Sequence, residues 1–367
     1  MPMILFWLFL GAASFASPAL GNPSAPANVP ALLSATARHQ ALTLCDEPVP
    51  LERQEVRERF EKEFLLNLGD PPQVILWLKR TRRYLPHITQ RLKDHRMPDD
   101  LKYLAIAESA LSPHAGSPKG AMGYWQFMPQ TARRYGLVVN DHVDQRRNFQ
   151  AATDAALRYL TELHETFGSW SLAIAAYNMG EEGLWAEILE QETRDYYQLY
   201  LPLETQRFIF RILAIKLILS EPERYGFDLS EADYYPETPS DTITLDCFQE
   251  VPIRLIAKAS GTVFKQIKDL NPEIRGHYLE AGRYSLNLPA GAAEGFQPRF
   301  EKLLKAYLAS RPNRSVTVQP GDNLSAIAEK FGVPLKALLN WNRIEMAQAI
   351  HPGQSLIIKP ETEIDQE

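Results

Sequence analysis

This sequence contains few cysteines and has no excess of positive charge. The 367 residues contain two cysteines, Cys45 and Cys247, which exclude a disulfide-rich scaffold. They leave open either one disulfide in an oxidising compartment or two buried thiols. The formal net charge of −6 argues against a dedicated nucleic-acid-binding protein. An apolar fraction of 45% is ordinary for a globular protein, and the length has room for two or three domains.

A long membrane-spanning run is also lacking. The uncharged apolar stretch at residues 3–16 is shorter than the roughly 20 residues that a spanning helix needs. Small residues follow it, so residues 1–21 are predicted to be a secretory signal peptide. An uncleaved N-terminal anchor is the alternative, because no Lys or Arg precedes Arg38. Residues 22–44 begin rich in Pro, Ala and Ser and are predicted to be a flexible tether.

Strand signals are nearly absent between residues 45 and 239. Apolar residues recur there at three- and four-residue spacing, which predicts helices. Glycine or proline marks several of the segment ends. The predicted helices cover 52–68, 73–84, 86–95, 129–135, 149–167, 170–176 and 205–220, and another runs from 99 to a break near 112. This region therefore predicts one mainly α domain.

A single glutamate interrupts the apolar face of one predicted helix. The helix begins near Asp99, and its shared face consists of Leu101, Leu104, Ala105 and Glu108. Glu108 falls in the last turn, where the helix dipole is negative. Burial and the dipole both predict a raised pKa for this carboxyl. A carboxyl that is protonated near neutral pH can serve as the general acid in glycosidic cleavage. The alternative is a glutamate that reaches solvent or pairs with an arginine.

Two further motifs follow Glu108 in the sequence. Residues 112–123 form a loop with three glycines and two prolines, and residues 123–129 read Gly-Tyr-Trp-Gln-Phe-Met-Pro. Aromatic faces and amide groups commonly hold sugar rings. With Glu108-Ser109-Ala110, Ser117-Pro118-Lys119-Gly120-Ala121 and Ala175-Ala176-Tyr177-Asn178-Met179-Gly180, these motifs resemble the catalytic domain of soluble lytic transglycosylases. That domain is lysozyme-like and cleaves peptidoglycan.

The resemblance implies a mechanism with one acidic residue. Glu108 would protonate the glycosidic oxygen between MurNAc and GlcNAc. As a carboxylate it would then accept the proton of the MurNAc C6 hydroxyl, which attacks C1 and leaves a 1,6-anhydro ring. The resemblance also implies substrate-binding roles for Ser109, Ser117, Gln126, Tyr177 and Asn178. By the same resemblance, Tyr177 would approach Glu108 and help to orient it. The alternatives are structural: a loop cap at Ser117, a backbone bond from the Gln126 amide, and core packing at Tyr177.

Other activities remain open on the sequence. Hydrolysis would need a second carboxylate, for which the candidates are Asp141, Asp144 and Asp154. A non-catalytic wall-binding scaffold is the remaining alternative. No metal or cofactor is predicted, because the histidines do not have a metal-ligand spacing.

The C-terminal part predicts two small modules. Residues 314–360 alternate as strand, helix, helix and strand, and their ends resemble those of a LysM module. The glycan-binding residues that this implies are Gly321, Asp322, Asn323, Asn342, Pro352 and Gly353. Residues 240–293 repeat the layout without the Pro-Gly-Asp turn and resemble a degenerate LysM module. Residues 294–313 are predicted to be a helical spacer.

The predicted fold is therefore multidomain: a mainly α, lysozyme-like domain over residues 45–239, followed by two α+β (βααβ) modules of LysM type. The whole arrangement resembles lytic murein transglycosylases of the membrane-bound D type. This implies peptidoglycan glycan strands as the partner and an exported, periplasmic location in a Gram-negative cell envelope. Membrane association is expected only through the N-terminus, and the oligomeric state is left open.

Overall fold

The structure is a computed structural model and describes residues 41–310, 315–346 and 348–358. The predicted signal peptide (1–21) and residues 22–40 of the predicted tether lie outside these ranges. Across the described ranges, no helix is both long and apolar enough to cross a bilayer. The buried apolar side chains form three clusters, which define a first, a second and a third unit along the chain.

Helices dominate the first unit. They are α1 (Gln54–Leu68), α2 (Pro71–Asp94), α3 (Lys102–Ser109), α4 (Pro129–Arg134), α5 (Phe149–Phe167), α6 (Trp170–Met179), α7 (Glu181–Gln191) and α8 (Leu203–Ser220). The central helix is α8, which packs against α1, α3 and α6 because most of its side chains are apolar and buried. Arg207 on α8 reaches the buried Glu63 on α1, with its Nε 2.6 Å from Oε1. The expectation of a helix-rich domain is confirmed.

Three local features of this unit differ from the prediction. Helix α2 continues through Pro86, where two helices were expected, because buried side chains on both sides of the proline hold it against the core. Helix α6 includes Tyr177 and ends at Gly180, whose φ of +95° stops it three residues later than expected. Helix α7 was not predicted.

The first unit begins with a short hairpin rather than with tether. Strands β1 (Leu42–Leu44) and β2 (Glu47–Val49) pair antiparallel. Glu47 caps the start of α6, since its Oε2 accepts hydrogen bonds from the Ser171 backbone N (3.0 Å) and Oγ (2.7 Å). Residues 42–44, which the sequence analysis assigns to the tether, are therefore part of a strand pair. Cys45 and Cys247 are both free and buried, in different clusters, so they are not bonded to each other.

The second unit is a small α+β fold. Its elements are β3 (Ser240–Cys247), β4 (Val251–Pro252), α9 (Ile253–Ala259), α10 (Phe264–Leu270), β5 (Tyr278–Leu279), β6 (Gly282–Pro289) and α11 (Phe296–Ser310). Strands β3 and β6 pair antiparallel along their whole length, and β4 pairs with β5. Phe296 and Phe300 of α11 are buried in the same cluster as α9. The predicted spacer helix is thus part of this unit up to residue 310, and residues 311–314 lie outside the described ranges.

The third unit is a smaller α+β fold, in which two helices lie between two paired strands. Its elements are β7 (Ser315–Thr317), α12 (Leu324–Lys330), α13 (Leu335–Asn342) and β8 (Ser355–Ile357). Strands β7 and β8 pair antiparallel, with Val316 opposite Leu356. The α+β layout expected for residues 314–360 is present over the described part of that range.

Equivalent asparagines hold both small units together. Asn342 Nδ2 donates to Leu338 O and Ile357 O, and its Oδ1 accepts from Ile357 N, at 2.8, 2.8 and 2.6 Å. Asn271 makes the same set of bonds to residues 267 and 287, each at 2.8 Å. In each unit the amide joins the end of the second helix to the last strand. The second and third units therefore share this pattern of side-chain hydrogen bonds.

The second unit is attached to the first by main-chain hydrogen bonds. Asp144 N donates to Glu273 O at 2.8 Å, and Arg275 N donates to His142 O at 2.7 Å. Asn148 Nδ2 adds a bond to Glu273 Oε1 at 2.9 Å. Directional bonds of this kind fix the relative position of the two units.

The third unit is attached to the second by ion pairs. Arg343, directly after α13, lies 3.2 Å from Glu250 and also pairs with Glu280. Its guanidinium stands over the Tyr278 ring, 5.2 Å from the centroid. One arginine therefore joins the two small units.

Candidate functional site

Helix α3 carries Glu108 into its last turn, as the sequence predicts. A single 3₁₀ turn at Asp99–Leu101 precedes the helix, and Ala110 ends it in a left-handed conformation with φ 51°. Leu104 and Ala105, one turn before Glu108, are completely buried. The apolar face of α3 therefore anchors the helix in the core, while Glu108 at its end is half-buried.

The Glu108 carboxyl has no partner among the residues that the structure describes. Among the described residues, nothing forms a hydrogen bond or ion pair with it. Burial raises its pKa to about 8, Arg211 lowers it and Glu204 raises it. An unpaired carboxyl in a poorly solvated place is stabilised in its protonated form. It can therefore donate a proton near neutral pH and accept one afterwards.

Arg211 and Glu204 were not predicted as site residues. Both lie on α8, which packs against α3, and Arg211 Nη1 is 3.0 Å from Glu204 Oε1. The only signal in the sequence was that Arg211 interrupts an apolar helix. Which charged group lies near Glu108 depends on how two distant helices pack, and a linear pattern does not contain that information.

Tyr177 lies beside Glu108 but does not orient it by a hydrogen bond. Burial raises the Tyr177 pKa most, and the charge of an ionised Glu108 raises it further. The phenol hydroxyl donates to the Trp125 main-chain O at 2.7 Å. Trp125 is completely buried, and its indole N–H donates to Thr153 Oγ1 at 3.1 Å. The predicted orientation of Glu108 is replaced by a different role, in which Tyr177 holds the aromatic segment in place.

Gln126 and Asn178 each have one amide end engaged by the protein. Gln126 has a φ of +48°, and its Nε2 donates to Ala115 O and Gly123 O, both at 2.9 Å. Its Oε1 accepts no bond from any described residue, so it is available to a donor such as an N-acetyl N–H. Asn178 Oδ1 accepts from Thr205 Oγ1 at 2.9 Å. The Asn178 side chain is half-buried, and its amide nitrogen has no bond to the described part of the protein.

Both predicted substrate-binding serines make hydrogen bonds within the protein. Ser109 is buried, and its hydroxyl donates to Ala105 O (3.1 Å) and Tyr124 O (2.7 Å). This corrects the expected substrate contact, because the hydroxyl is already committed to main-chain oxygens. Ser117 Oγ accepts from Ala121 N at 3.1 Å, which is the loop-cap alternative. The Ser117 side chain is half-buried, so its hydroxyl remains accessible for a further hydrogen bond.

A buried ion pair holds the loop after Glu108. Arg146 Nε and Nη2 bind Asp144 at 2.8 Å each, and Arg146 Nη1 donates to Gly120 O and Phe127 O. Gly123 is required at this place, because a Cβ there would lie 1.8 Å from Arg146 O. Asp144 is therefore committed to positioning the loop.

The other two candidates for a second carboxylate have different surroundings. Asp154 Oδ1 pairs with Arg91 Nε at 2.8 Å, and Asp141 is exposed. A hydrolytic partner needs a carboxylate that faces the scissile bond with room for water. An aspartate neutralised by arginine is poorly suited to activate water.

The third unit has an open groove beside its turn. A cavity of about 350 Å³ is lined by Asp322 and Asn323 on one side and by Met346 and Ile350 on the other. Asn323 also caps α12, with its Oδ1 2.8 Å from Ala326 N. Gly321 and Gly353 form turns with φ near +90°.

The remaining predicted glycan contacts of this unit lie outside the groove lining. Gly321, Pro352 and Gly353 are not part of it. The expected glycan contact of Asn342 is corrected, because its amide makes the three internal hydrogen bonds described above.

Two family models match parts of this sequence. A family model of the Transglycosylase SLT domain matches residues 87–200, and one of the LysM domain matches residues 316–359. Membrane-bound lytic murein transglycosylase D of Escherichia coli strain K12 is 32% identical over 323 residues, which cover 84% of this chain and 69% of that protein. The chain belongs to this transglycosylase family. Its counterpart in Escherichia coli O6:H1 strain CFT073 matches with the same figures.

Two solved structures were also found among the matches. An inactive mutant of the lytic transglycosylase Slt from Pseudomonas aeruginosa is 21% identical, with a TM-score of 0.32, over 41% of this chain and 26% of that chain. The 70 kDa soluble lytic transglycosylase of Escherichia coli is 21% identical, with a TM-score of 0.35, over 48% of this chain and 31% of that chain.

Proposed function

We propose that this member of the lytic murein transglycosylase D family cleaves the β-1,4 bond between MurNAc and GlcNAc in peptidoglycan and leaves 1,6-anhydro-MurNAc ends. The observation that supports this is the unpaired Glu108 carboxyl, with a pKa raised to about 8, at the end of α3. A group that is protonated at neutral pH and has no protein partner is suited to act first as an acid and then as a base.

The proposed reaction needs one carboxyl group. Glu108 gives its proton to the bridging oxygen while the bond from that oxygen to MurNAc C1 breaks, which releases the GlcNAc hydroxyl. The oxygen of the MurNAc C6 hydroxyl then bonds to C1, and its proton returns to Glu108. No water is consumed, and the enzyme regains its starting state. The reactive hydroxyl belongs to the same sugar, so positioning contributes much of the rate.

Three residues are proposed to bind the substrate around Glu108. Gln126 would accept from an N-acetyl group through its free Oε1, and Asn178 would donate through its free amide nitrogen. Ser117 would contribute from the loop that Arg146 holds. We propose that Tyr177 keeps these groups in register through its bond to Trp125.

The third unit is proposed to hold the glycan through its open groove. In the second unit, the equivalent position is closed. There β4 pairs with β5, with Val251 opposite Leu279, and Ile253 N donates to His277 O at 2.9 Å. We infer that the second unit is a LysM-type module that no longer binds glycan in that groove and instead attaches the catalytic domain to the third unit. The chain would act in the periplasm, with any membrane contact made through residues 1–40.

The experiment is to digest purified sacculi and determine the masses of the soluble products. MurNAc ends lighter by one water are expected. The Glu108→Gln variant should still sediment with sacculi but release no soluble product, with Glu182→Gln as a matched control for loss of a carboxylate. Reducing MurNAc ends would mean hydrolysis and would overturn the single-acid mechanism. Binding without any product from the unmodified protein would indicate a scaffold.

A further inference from the structure

A second cleft lies between the first and the second unit. Its volume is about 820 Å³, within the range of about 300–1,000 Å³ that is usual for ligand sites. None of the proposed catalytic or substrate-binding residues lines it. One wall consists of α2 and residues 111–114 and 148–150, and the other consists of α10 and residues 272–273. Residues 235–240 connect the two walls.

The two walls are held at a fixed distance by the docking bonds. Glu273 lines the cleft and receives Asp144 N on its main-chain O and Asn148 Nδ2 on its side chain. In the described part of the chain, no group donates a hydrogen bond to the other carboxyl oxygen of Glu273. The cleft therefore depends on the second unit being docked on the first, and neither unit forms it alone.

One wall presents aromatic rings. Tyr84, Tyr124 and Phe149 form a cluster with centroids 4.9 to 5.4 Å apart. Tyr84 and Phe149 are half-buried, so part of each ring borders the cleft, and Tyr235 adds another ring. Aromatic faces of this kind suit the apolar faces of sugar rings.

The same wall carries a cation with unused donors. The Arg83 guanidinium lies 5.9 Å from the centroid of Tyr84 and 5.6 Å from that of Tyr235. Its Nε donates to Pro236 O at 2.9 Å, while its two Nη groups have no bond to any described residue. A guanidinium fixed between two rings binds a carboxylate well, because little further ordering is needed. Gln150, exposed at the same place, likewise has no partner among the described residues.

We propose that this cleft binds a muropeptide, with its amino sugar against Tyr84 and Phe149 and a carboxylate of its peptide on Arg83. The identity of the ligand rests on the proposed function, whereas the chemistry of the cleft, aromatic faces beside a free guanidinium, does not. The chain would then hold a released fragment, or the stem of a neighbouring strand, at a place separate from Glu108.

The test uses the full chain with Glu108→Gln, so that the ligand is not consumed. The probe is a purified GlcNAc–anhydroMurNAc tetrapeptide, titrated by calorimetry and also used in a photoreactive form to locate its contacts. Arg83→Met should weaken binding at the cleft on the order of tenfold, because a charge-assisted hydrogen bond is lost. Arg82→Met is the matched control, since Arg82 is next to it on α2, pairs with Glu231 and does not line the cleft.

The outcomes separate this proposal from the catalytic one. Cross-links at residues 148–150 or 235–238 that Arg83→Met removes would support it. Cross-links confined to the surroundings of Glu108 and the third unit would overturn it, even if sacculi are still cleaved. Chitotetraose, which carries no carboxylate, should not show the Arg83 effect, and an equal effect would overturn the assignment of the ligand. If Arg83→Met alters the melting temperature, the test uses Gln150→Trp instead, because the larger side chain would fill the cleft.

Discussion

Arg211 Nη1 lies 3.0 Å from Glu204 Oε1 on α8, and the charges of this pair act in opposite directions on Glu108. Arg211 favours the ionised Glu108 carboxylate, and Glu204 opposes it. The balance between them adjusts a pKa that burial has already raised to about 8. Glu108 therefore depends on a pair of residues that the sequence does not associate with it.

The alkaline limb of the pH–rate profile should report the pKa of Glu108. The acid must be protonated in the free enzyme, so kcat/KM is expected to fall as the pH rises through about 8. Arg211→Met should move this limb to higher pH, and Glu204→Gln should move it to lower pH. Initial rates of sacculus clearing at several pH values measure the limb. Arg224→Met, which removes a similar pair with Glu221 elsewhere, should leave it in place.

Stability should also depend on the ionisation of Glu108. Its pKa in the folded state is raised, so the folded protein binds the proton more tightly than the unfolded chain does. The stabilisation is full below the unfolded pKa, near 4.5, and is lost as the pH rises towards about 8. Glu108→Gln, which cannot ionise, is therefore expected to be more stable than the parent at pH 7, by up to about 3 kcal/mol.

Denaturant unfolding at several pH values tests this expectation. The difference between the Gln variant and the parent should shrink as the pH approaches 4.5. Glu63→Gln is the contrast, because it removes a buried carboxylate that Arg207 binds and should destabilise the protein by about 1–3 kcal/mol. A constant difference for Glu108→Gln at every pH would contradict the raised pKa.

Removal of the Tyr177 hydroxyl should reduce catalysis more than stability. Tyr177→Phe leaves Trp125 O without its donor, and the aromatic segment next to Glu108 loses a restraint. The expected loss is about 1 kcal/mol of stability and about 10- to 100-fold in kcat. Steady-state rates and thermal melts measure the two effects. Tyr103→Phe is matched, since that hydroxyl pairs with Ser220 Oγ at 3.3 Å and should leave kcat unchanged.

The groove of the third unit should account for wall binding. Met346 lines it and is 77% exposed, so Met346→Asp should weaken sedimentation with sacculi without lowering the melting temperature. Phe248, which is 94% exposed on the second unit, provides the matched change Phe248→Asp and should have no effect. Turnover of short, soluble glycan strands should be nearly the same in both variants. Equal weakening by both would contradict wall binding through the groove of the third unit.

Local patterns in the sequence were enough to predict most helices and the raised pKa of Glu108. Apolar spacing placed α5 at Phe149–Phe167 as observed, because one face of the helix is continuous and Gly168 ends it. The same spacing put Glu108 on an apolar face in the last turn. That position alone predicts that Glu108 is buried and that it lies at the negative end of the helix dipole. The failures of local prediction, as at Pro86, occurred where buried contacts outweighed a helix-breaking residue.

What only the tertiary structure decided is which polar groups are already engaged. Ser109 and Asn342 lie in motifs typical of glycan binding, yet their side chains bond to main-chain atoms of distant segments. The Arg211–Glu204 pair, the Asp144–Arg146 pair and the cleft at Glu273 likewise depend on helices and units meeting in space. A sequence specifies which donors and acceptors exist, whereas packing determines which of them remain free for a substrate, since each buried polar group must first find a partner.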